Sequence, residues 1–293
     1  MSNCIERFDH FVLPVDDVLA AEDFYTGVFG CPVAINSKGR QMRFGLHVRE
    51  WMAGLRPHTF FIAAGRRIGV YLQCEPRPRK VDGLRGAPTC SFESTTDGLD
   101  RIAASLDARG AAREGPFDEN SSIAARSLYF NDPAGNHFHV YVPREGAGNP
   151  ARGVRGEGPI TGIGYLRVEA PELEKSIRFY RDLLGLELVG EGRDASLDAR
   201  EAILALPSGQ RVILTEVPFA HPGIDLDSTK AGPHLAYYVR AGAWDELCAK
   251  LEAAGLEHAD HGAALKDRHG GERDTYVSDP AGYVIQLVSE AKT

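Results

Sequence analysis

The chain is poor in the features that assign a protein quickly. It has five cysteines, Cys4, Cys31, Cys74, Cys90 and Cys248, in 293 residues. They are odd in number and scattered, with no C-x-x-C pair, which argues against a disulfide framework, a zinc knuckle and a dithiol redox motif. They read as reduced, mostly small core residues, and no neighbour marks one as an activated nucleophile. Positive charge is also short: the formal net charge is -8, so the basic footprint of a nucleic-acid-binding surface is missing. No apolar run approaches the roughly 18 residues needed to cross a bilayer. The N-terminus enters an alternating, strand-like pattern within a few residues and reads as no signal peptide. The expectation is a cytoplasmic protein with neither nucleic acid nor membrane as a partner.

What the chain does contain is a repeat. Phe24-Tyr25 followed by Val28-Phe29-Gly30 matches Phe179-Tyr180 followed by Leu183-Leu184-Gly185, at an offset of 155. Asp100 through Gly110 matches Asp245 through Gly255 at 145, and Asp132-Pro133-Ala134-Gly135 matches Asp279-Pro280-Ala281-Gly282 at 147. The drifting offset means that the second copy lost about ten residues from its loops, where length changes are tolerated best. A period of about 150 residues is too long for a solenoid unit and suits a duplicated domain. Hydrophobic residues at 43% and charged residues at 25% supply two ordinary cores. The copies divide as 1–146 and 159–293, with a linker at 147–158 inside a stretch rich in glycine and charge. A long insertion around Gly39–Pro57 accounts for part of the lost offset.

Each copy reads as strand, helix and several strands, twice over. Residues 8–15 alternate, with Phe11, Leu13 and Val15 on one face and His10, Val12 and Pro14 on the other. A helix carrying Phe24, Tyr25, Val28 and Phe29 follows; its counterpart has Leu173, Ile177, Tyr180 and Leu184 at helical spacing. Residues 59–64 and 68–72 read as a hairpin, as do Ala202–Leu206 and Val212–Leu214. Short strands at Cys90–Glu93 and Leu235–Val239 open the second halves. Helices ending at Gly110 and Gly255, each glycine placed as a cap, come next. Asp-Pro-Ala-Gly then turns the chain into final strands at His137–Val142 and Val284–Val288. His139 shares a face with His137 and Tyr141; His234 shares one with Ala236 and Tyr238.

The pattern from His10 through Phe24-Tyr25 to the Asp-Pro-x-Gly turn resembles the vicinal oxygen chelate superfamily. That group includes glyoxalase I, the bleomycin-resistance proteins and the type I extradiol dioxygenases. The resemblance covers nearly the whole chain, once per copy. It implies an α+β fold in which βαβββ motifs pair into cupped half-barrel sheets, as two tandem modules. It also implies a divalent metal on the concave face, Fe(II) or Mn(II) ahead of Zn(II) or Ni(II), held from the first strand of each motif and the final strand. At those positions the first copy has His10, Thr89 and His139, and the second has Tyr165, His234 and Gln286.

The implied chemistry needs about three ligands on one side of the ion, usually two imidazoles and a carboxylate. Neither copy is complete. Threonine is a poor ligand, and Tyr165 would have to lose a proton of pKa near 10. Glutamine offers only a neutral amide oxygen. Glyoxalase I-like relatives also complete sites across modules or subunits, which would combine His10 with His234 and Gln286. The complementary set, Tyr165, Thr89 and His139, is much poorer. Each strand histidine equally suits a half-buried structural role.

The second copy also resembles the extradiol dioxygenase signature. His269 is followed by Thr275-Tyr276, then Asp279-Pro280-Ala281-Gly282, then Gln286. The resemblance makes Tyr276 and His269 catalytic candidates, although a strand tyrosine packing on the sheet is the plainer role for Tyr276. Thr275 and Gln286 depart from the signature, in which a hydrophobic residue belongs at 275 and an acidic ligand at 286. The acid/base imidazole is also missing from the strands before His234; His221 stands in a loop. Three functions stay open. One is a metal-dependent dioxygenase acting on a small aromatic diol. Another is a glyoxalase-like lyase or isomerase using the metal as a Lewis acid. The third is a metal-free protein of the resistance type that sequesters a small molecule. A small-molecule partner is common to all three, and a homodimer is compatible with each.

Overall fold

The computed structural model describes residues 3–34, 58–63, 66–72, 83–144 apart from 120 and 122, 158–217, 234–256 apart from 241, 259–260 and 273–289. The insertion at 39–57, most of the linker, His221 and His269 lie outside the described residues. Four βαβββ motifs follow one another. The first holds β1 (Ile5–Val15), α1 (Val18–Phe29), β2 (Val33–Ala34), β3 (His58–Ala63) and β4 (Arg66–Leu72). The second holds β5 (Thr89–Ser94), α2 (Thr96–Ala108), β6 (Arg113–Asp118), β7 (Ala124–Asn131) and β8 (His137–Pro143). The third holds β9 (Ile160–Glu169), α3 (Leu173–Arg178) running into a π-helical turn (Phe179–Leu183), β10 (Glu187–Asp194), β11 (Ala199–Ala205) and β12 (Arg211–Thr215). The fourth holds β13 (His234–Val239), α4 (Trp244–Ala253), β14 (Ala259–Asp260), β15 (Arg273–Ser278) and β16 (Val284–Ser289). The α+β expectation from the sequence holds, motif for motif.

Local chemistry sets the helix ends. The Asp17 carboxylate accepts hydrogen bonds from the amides of Leu19 and Ala20 and caps α1, and Gly30 closes it at φ 63°, a conformation that favours glycine. Gly110 and Gly255 stand one residue beyond the caps of α2 and α4, also at positive φ. Among the described residues, the π turn after α3 departs from the regular helix that the apolar spacing predicts. Tyr180 and Leu184 were expected on a regular helix. Instead the amide of Leu184 reaches the carbonyl of Phe179 at 3.1 Å, a wider step than an α turn makes.

The chain divides into two compact units that do not follow its linear order. The C unit is residues 1–11 with 167–293, and the N unit is residues 12–166. Within the C unit the strand orders are β14-β15-β16-β13-β1 and β10-β11-β12-β9. Within the N unit they are β1-β4-β3-β2 and β9-β5-β8-β7-β6. The opening residues of β1 therefore pack with the second copy, and most of β9 packs with the first. Each unit has its own core. In the N unit Tyr25 and Phe29 of α1 meet Phe92, Phe130 and Phe138 of the sheet, with Phe92 and Phe138 stacked at 6.0 Å. Such pairs contribute about 0.5–1.5 kcal/mol each beyond the area they bury. In the C unit, Tyr237 of β13 packs against Phe8 and Tyr180.

The two most recognisable anchors of the repeat bond to each other. The Tyr25 hydroxyl donates to the Asp132 carboxylate at 3.0 Å, and Tyr180 donates to Asp279 at 2.9 Å. Each aspartate also accepts backbone amides of its own Asp-Pro-Ala-Gly turn. The pair ties the first helix of a copy to the turn before its last strand. Burial pushes the Asp279 carboxyl up to about 6, and it holds the phenol of Tyr180 well above its usual range.

Candidate metal centre

In the C unit, three strands present polar side chains on one face. Ala236 of β13 pairs in parallel with Gln286 of β16, and Gln286 pairs with Tyr276 of β15. Paired residues share a face and alternate residues return to it. His234, Ala236, Gln286, Tyr276 and Asp274 thus lie on the same side of the sheet. The opposite side carries Tyr237, which turns to the helix. β1 adds His10 to this face, and the His10 and His234 rings meet edge to face with their centroids 5.1 Å apart. All four candidates are buried: His10 is 7% exposed, His234 8%, Gln286 8% and Tyr276 5%.

The imidazoles meet nitrogen to nitrogen, with Nε2 of His10 3.0 Å from Nε2 of His234. His10 is held from behind, because its Nδ1 lies 2.7 Å from the Asp9 carboxylate. A carboxylate only accepts, so Nδ1 carries a proton, and in the neutral imidazole Nε2 keeps its lone pair toward His234. Two nitrogens each about 2.1 Å from one ion and at right angles to each other stand about 3.0 Å apart. Gln286 is oriented by Asp274, to which its Nε2 donates at 2.9 Å. Its Oε1 is then left buried with no hydrogen-bond partner among the described residues. A buried acceptor without a partner costs about 1–3 kcal/mol.

Two imidazole nitrogens at a ligand-like separation and an unbonded amide oxygen on the same face fit a divalent ion. Among the described residues no three His, Cys, Asp or Glu side chains are grouped closely enough to hold one. The third donor here would be an amide. Tyr276 closes one side of the face, with its ring edge-on to His234 at 5.8 Å. Burial, reinforced by the charge of Asp274, raises its phenol well above the usual range, so it is a hydrogen-bond donor at neutral pH.

The other candidates lie in the N unit and have different neighbours. The Ser127 hydroxyl donates to the Glu119 carboxylate and faces His139 Nε2 at 2.9 Å. The Tyr165 hydroxyl lies 2.7 Å from His139 Nδ1. With Ser127 donating to Glu119, Nε2 of His139 donates to Ser127, and in the neutral ring Nδ1 then accepts from Tyr165. The result is a directed chain from phenol to carboxylate in which both ring nitrogens are engaged. Tyr129 stacks on the imidazole at 4.2 Å and 6°, and the Arg85 guanidinium lies over Tyr129. The Thr89 hydroxyl donates to the carbonyl of Gly86.

Two residues that hold the donors of the C-unit face were not singled out by sequence. Asp274 stands two residues before Tyr276, so alternation alone would have put it on the same face. Asp9 had no such signal, since adjacent strand residues point to opposite faces.

The family model for the Glyoxalase/Bleomycin resistance protein/Dioxygenase superfamily matches residues 7–140 and 162–287. Among solved structures, a Bacillus subtilis protein assigned provisionally as a dioxygenase superposes with a TM-score of 0.67 at 15% identity, covering 98% of this chain and 86% of that one. Glyoxalase I from Zea mays superposes with a TM-score of 0.60 at 14% identity, covering 97% and 92%. At these identities the likeness is one of fold.

Proposed function

This chain belongs to the Glyoxalase/Bleomycin resistance protein/Dioxygenase superfamily, and on that premise we propose that it is a divalent-metal-dependent enzyme of dioxygenase type acting on a small aromatic diol. The observation that carries the reading is the meeting of His10 and His234 at 3.0 Å on the sheet face that also bears the unbonded amide oxygen of Gln286. When bound, Fe(II) or Mn(II) would supply Lewis acidity toward two neighbouring substrate oxygens and a place for O₂. His10, His234 and Gln286 would hold it. The residues' own contribution is geometric and protonic. Asp9 fixes the His10 tautomer, Asp274 fixes the amide rotamer, and Tyr276 supplies a proton-bearing phenol beside His234. Burial of the whole face excludes water, which strengthens each of these interactions.

A second reading, a glyoxalase-like lyase or isomerase, is favoured by Gln286 itself. A neutral amide suits Lewis-acid chemistry that needs no electron transfer to O₂. Metal analysis after anaerobic loading with Fe(II), Mn(II) or Zn(II) tests the site. Binding near one equivalent is expected, and binding below about a tenth of an equivalent sinks both enzyme readings and leaves small-molecule sequestration. O₂ consumption with a panel of catechols then separates the first reading from the second.

A further inference from the structure

The three donors of the C-unit face are all neutral. An ion held by two imidazoles and an amide keeps its full double charge in a buried place, which is costly unless opposite charge lies close by. We propose that Asp9 and Asp274 are positioning residues that supply this charge from one hydrogen bond behind the ligands. The inference rests on the metal-site reading above and adds a role for two residues outside its ligand set.

Each carboxylate sits on the far side of a donor. Asp9 Oδ2 accepts from His10 Nδ1 at 2.7 Å, and Asp274 Oδ2 accepts from Gln286 Nε2 at 2.9 Å. A carboxylate behind a ligand fixes its orientation and makes the donor atom facing the metal more basic. For the amide, the same bond pushes electron density from nitrogen toward Oε1. An amide at 286 bonded to an acid at 274 is the inverse of an acidic ligand bonded to an amide, with the negative charge moved outward by one residue pair.

The second observation concerns Asp274 alone. It is 6% exposed, and its Oδ1 is buried with no hydrogen-bond partner among the described residues. Its neighbour Arg273 turns away to Asp245 at 3.0 Å. A buried carboxylate using one oxygen is unfavourable on its own, and a cation on the same face offsets that cost. Asp9 is partly balanced already, since Arg7 Nη1 reaches its other oxygen at 3.4 Å while the guanidinium lies over Tyr238. Asp274 therefore carries the larger share of the effect.

The test is Mn(II) affinity of the full chain, measured by titration, together with the visible spectrum of the Co(II)-loaded protein. Asp274→Asn keeps an acceptor for Gln286 and removes the charge. It is expected to weaken binding by about 10–100-fold and shift the Co(II) bands, as loss of an outer-shell partner does. Asp9→Asn is expected to weaken binding in the same direction by less. The exchange Asp274→Asn with Gln286→Glu returns a carboxylate to the ligand position and should restore affinity to the wild-type value or beyond. Affinity of Asp274→Asn within about twofold of wild type, or no recovery in the exchange variant, overturns the inference and leaves the metal site standing. Failure of the wild-type chain to bind Mn(II), or unchanged binding in His10→Ala, instead overturns the metal-site reading on which the inference rests.

Discussion

At the scale of single residues, two histidines show how much the neighbours of an imidazole decide. His10 has a carboxylate on Nδ1 and keeps the Nε2 lone pair toward His234. His139 has a hydroxyl on each nitrogen. Both are strand histidines with buried rings, and period-two alternation put both on the sheet face where this superfamily's resemblance leads one to expect ligands. Alternation reports which face a side chain takes; it does not report which partner holds its second nitrogen. The expected outcome is asymmetric. His10→Ala should weaken Mn(II) binding by more than about 100-fold, beyond the range for outer-shell losses. His139→Ala should leave the stoichiometry unchanged and lower the melting temperature, because Ser127 and Tyr165 lose a buried partner. Titration and thermal melts of the two variants check this.

At the scale of elements, the Tyr180–Asp279 and Tyr25–Asp132 bonds explain why Phe-Tyr and Asp-Pro-Ala-Gly stand out in both copies. They are the two ends of one strut, and its role is structural. The strut has a pH signature. The Asp279 carboxyl moves from an ordinary 3.8 to about 6 on folding, so between those values the native chain binds more protons than the unfolded one. Stability from this group is therefore fully present below about pH 4 and declines as pH rises through about 6, by on the order of 2–3 kcal/mol. Denaturant melts across pH 4–7 should show this decline in wild type. Asp279→Asn, which keeps the acceptor for the turn amides, should lessen it, the remainder coming from groups such as Asp132, whose carboxyl burial also raises. The strut was half legible in the sequence: the turn and the helix were each plain, but a hydrogen bond spanning 99 residues leaves no periodic mark. The π turn after α3 was not legible, since one extra residue in a turn barely disturbs a helical apolar pattern.

At the scale of the whole molecule, duplication and compactness follow different boundaries. The repeat runs through the chain in order, whereas residues 1–11 pack into the unit formed by 167–293. A fragment of residues 159–293 would lack both His10 and the strand beside β13. An unpaired strand edge also invites aggregation. Such a fragment should bind Mn(II) at least about 100-fold more weakly than the full chain. Adding residues 1–17 as a separate peptide should recover part of the binding, and titration with and without the peptide decides it. Equal affinity of the fragment and the full chain would contradict the assignment of His10 to this site.

The sequence alone determined the duplication, the α+β motif order and the faces on which His10 and His234 lie. All of these are local or periodic properties, set by side-chain alternation, helix spacing and turn chemistry over a few residues. Three things were decided only by tertiary structure: which copy receives the opening strand, that His10 meets His234, and that Asp9 and Asp274 stand behind the donors. Strand pairing joins segments more than 200 residues apart through backbone hydrogen bonds that any sequence can make. The choice among pairings therefore belongs to the packing of the whole unit.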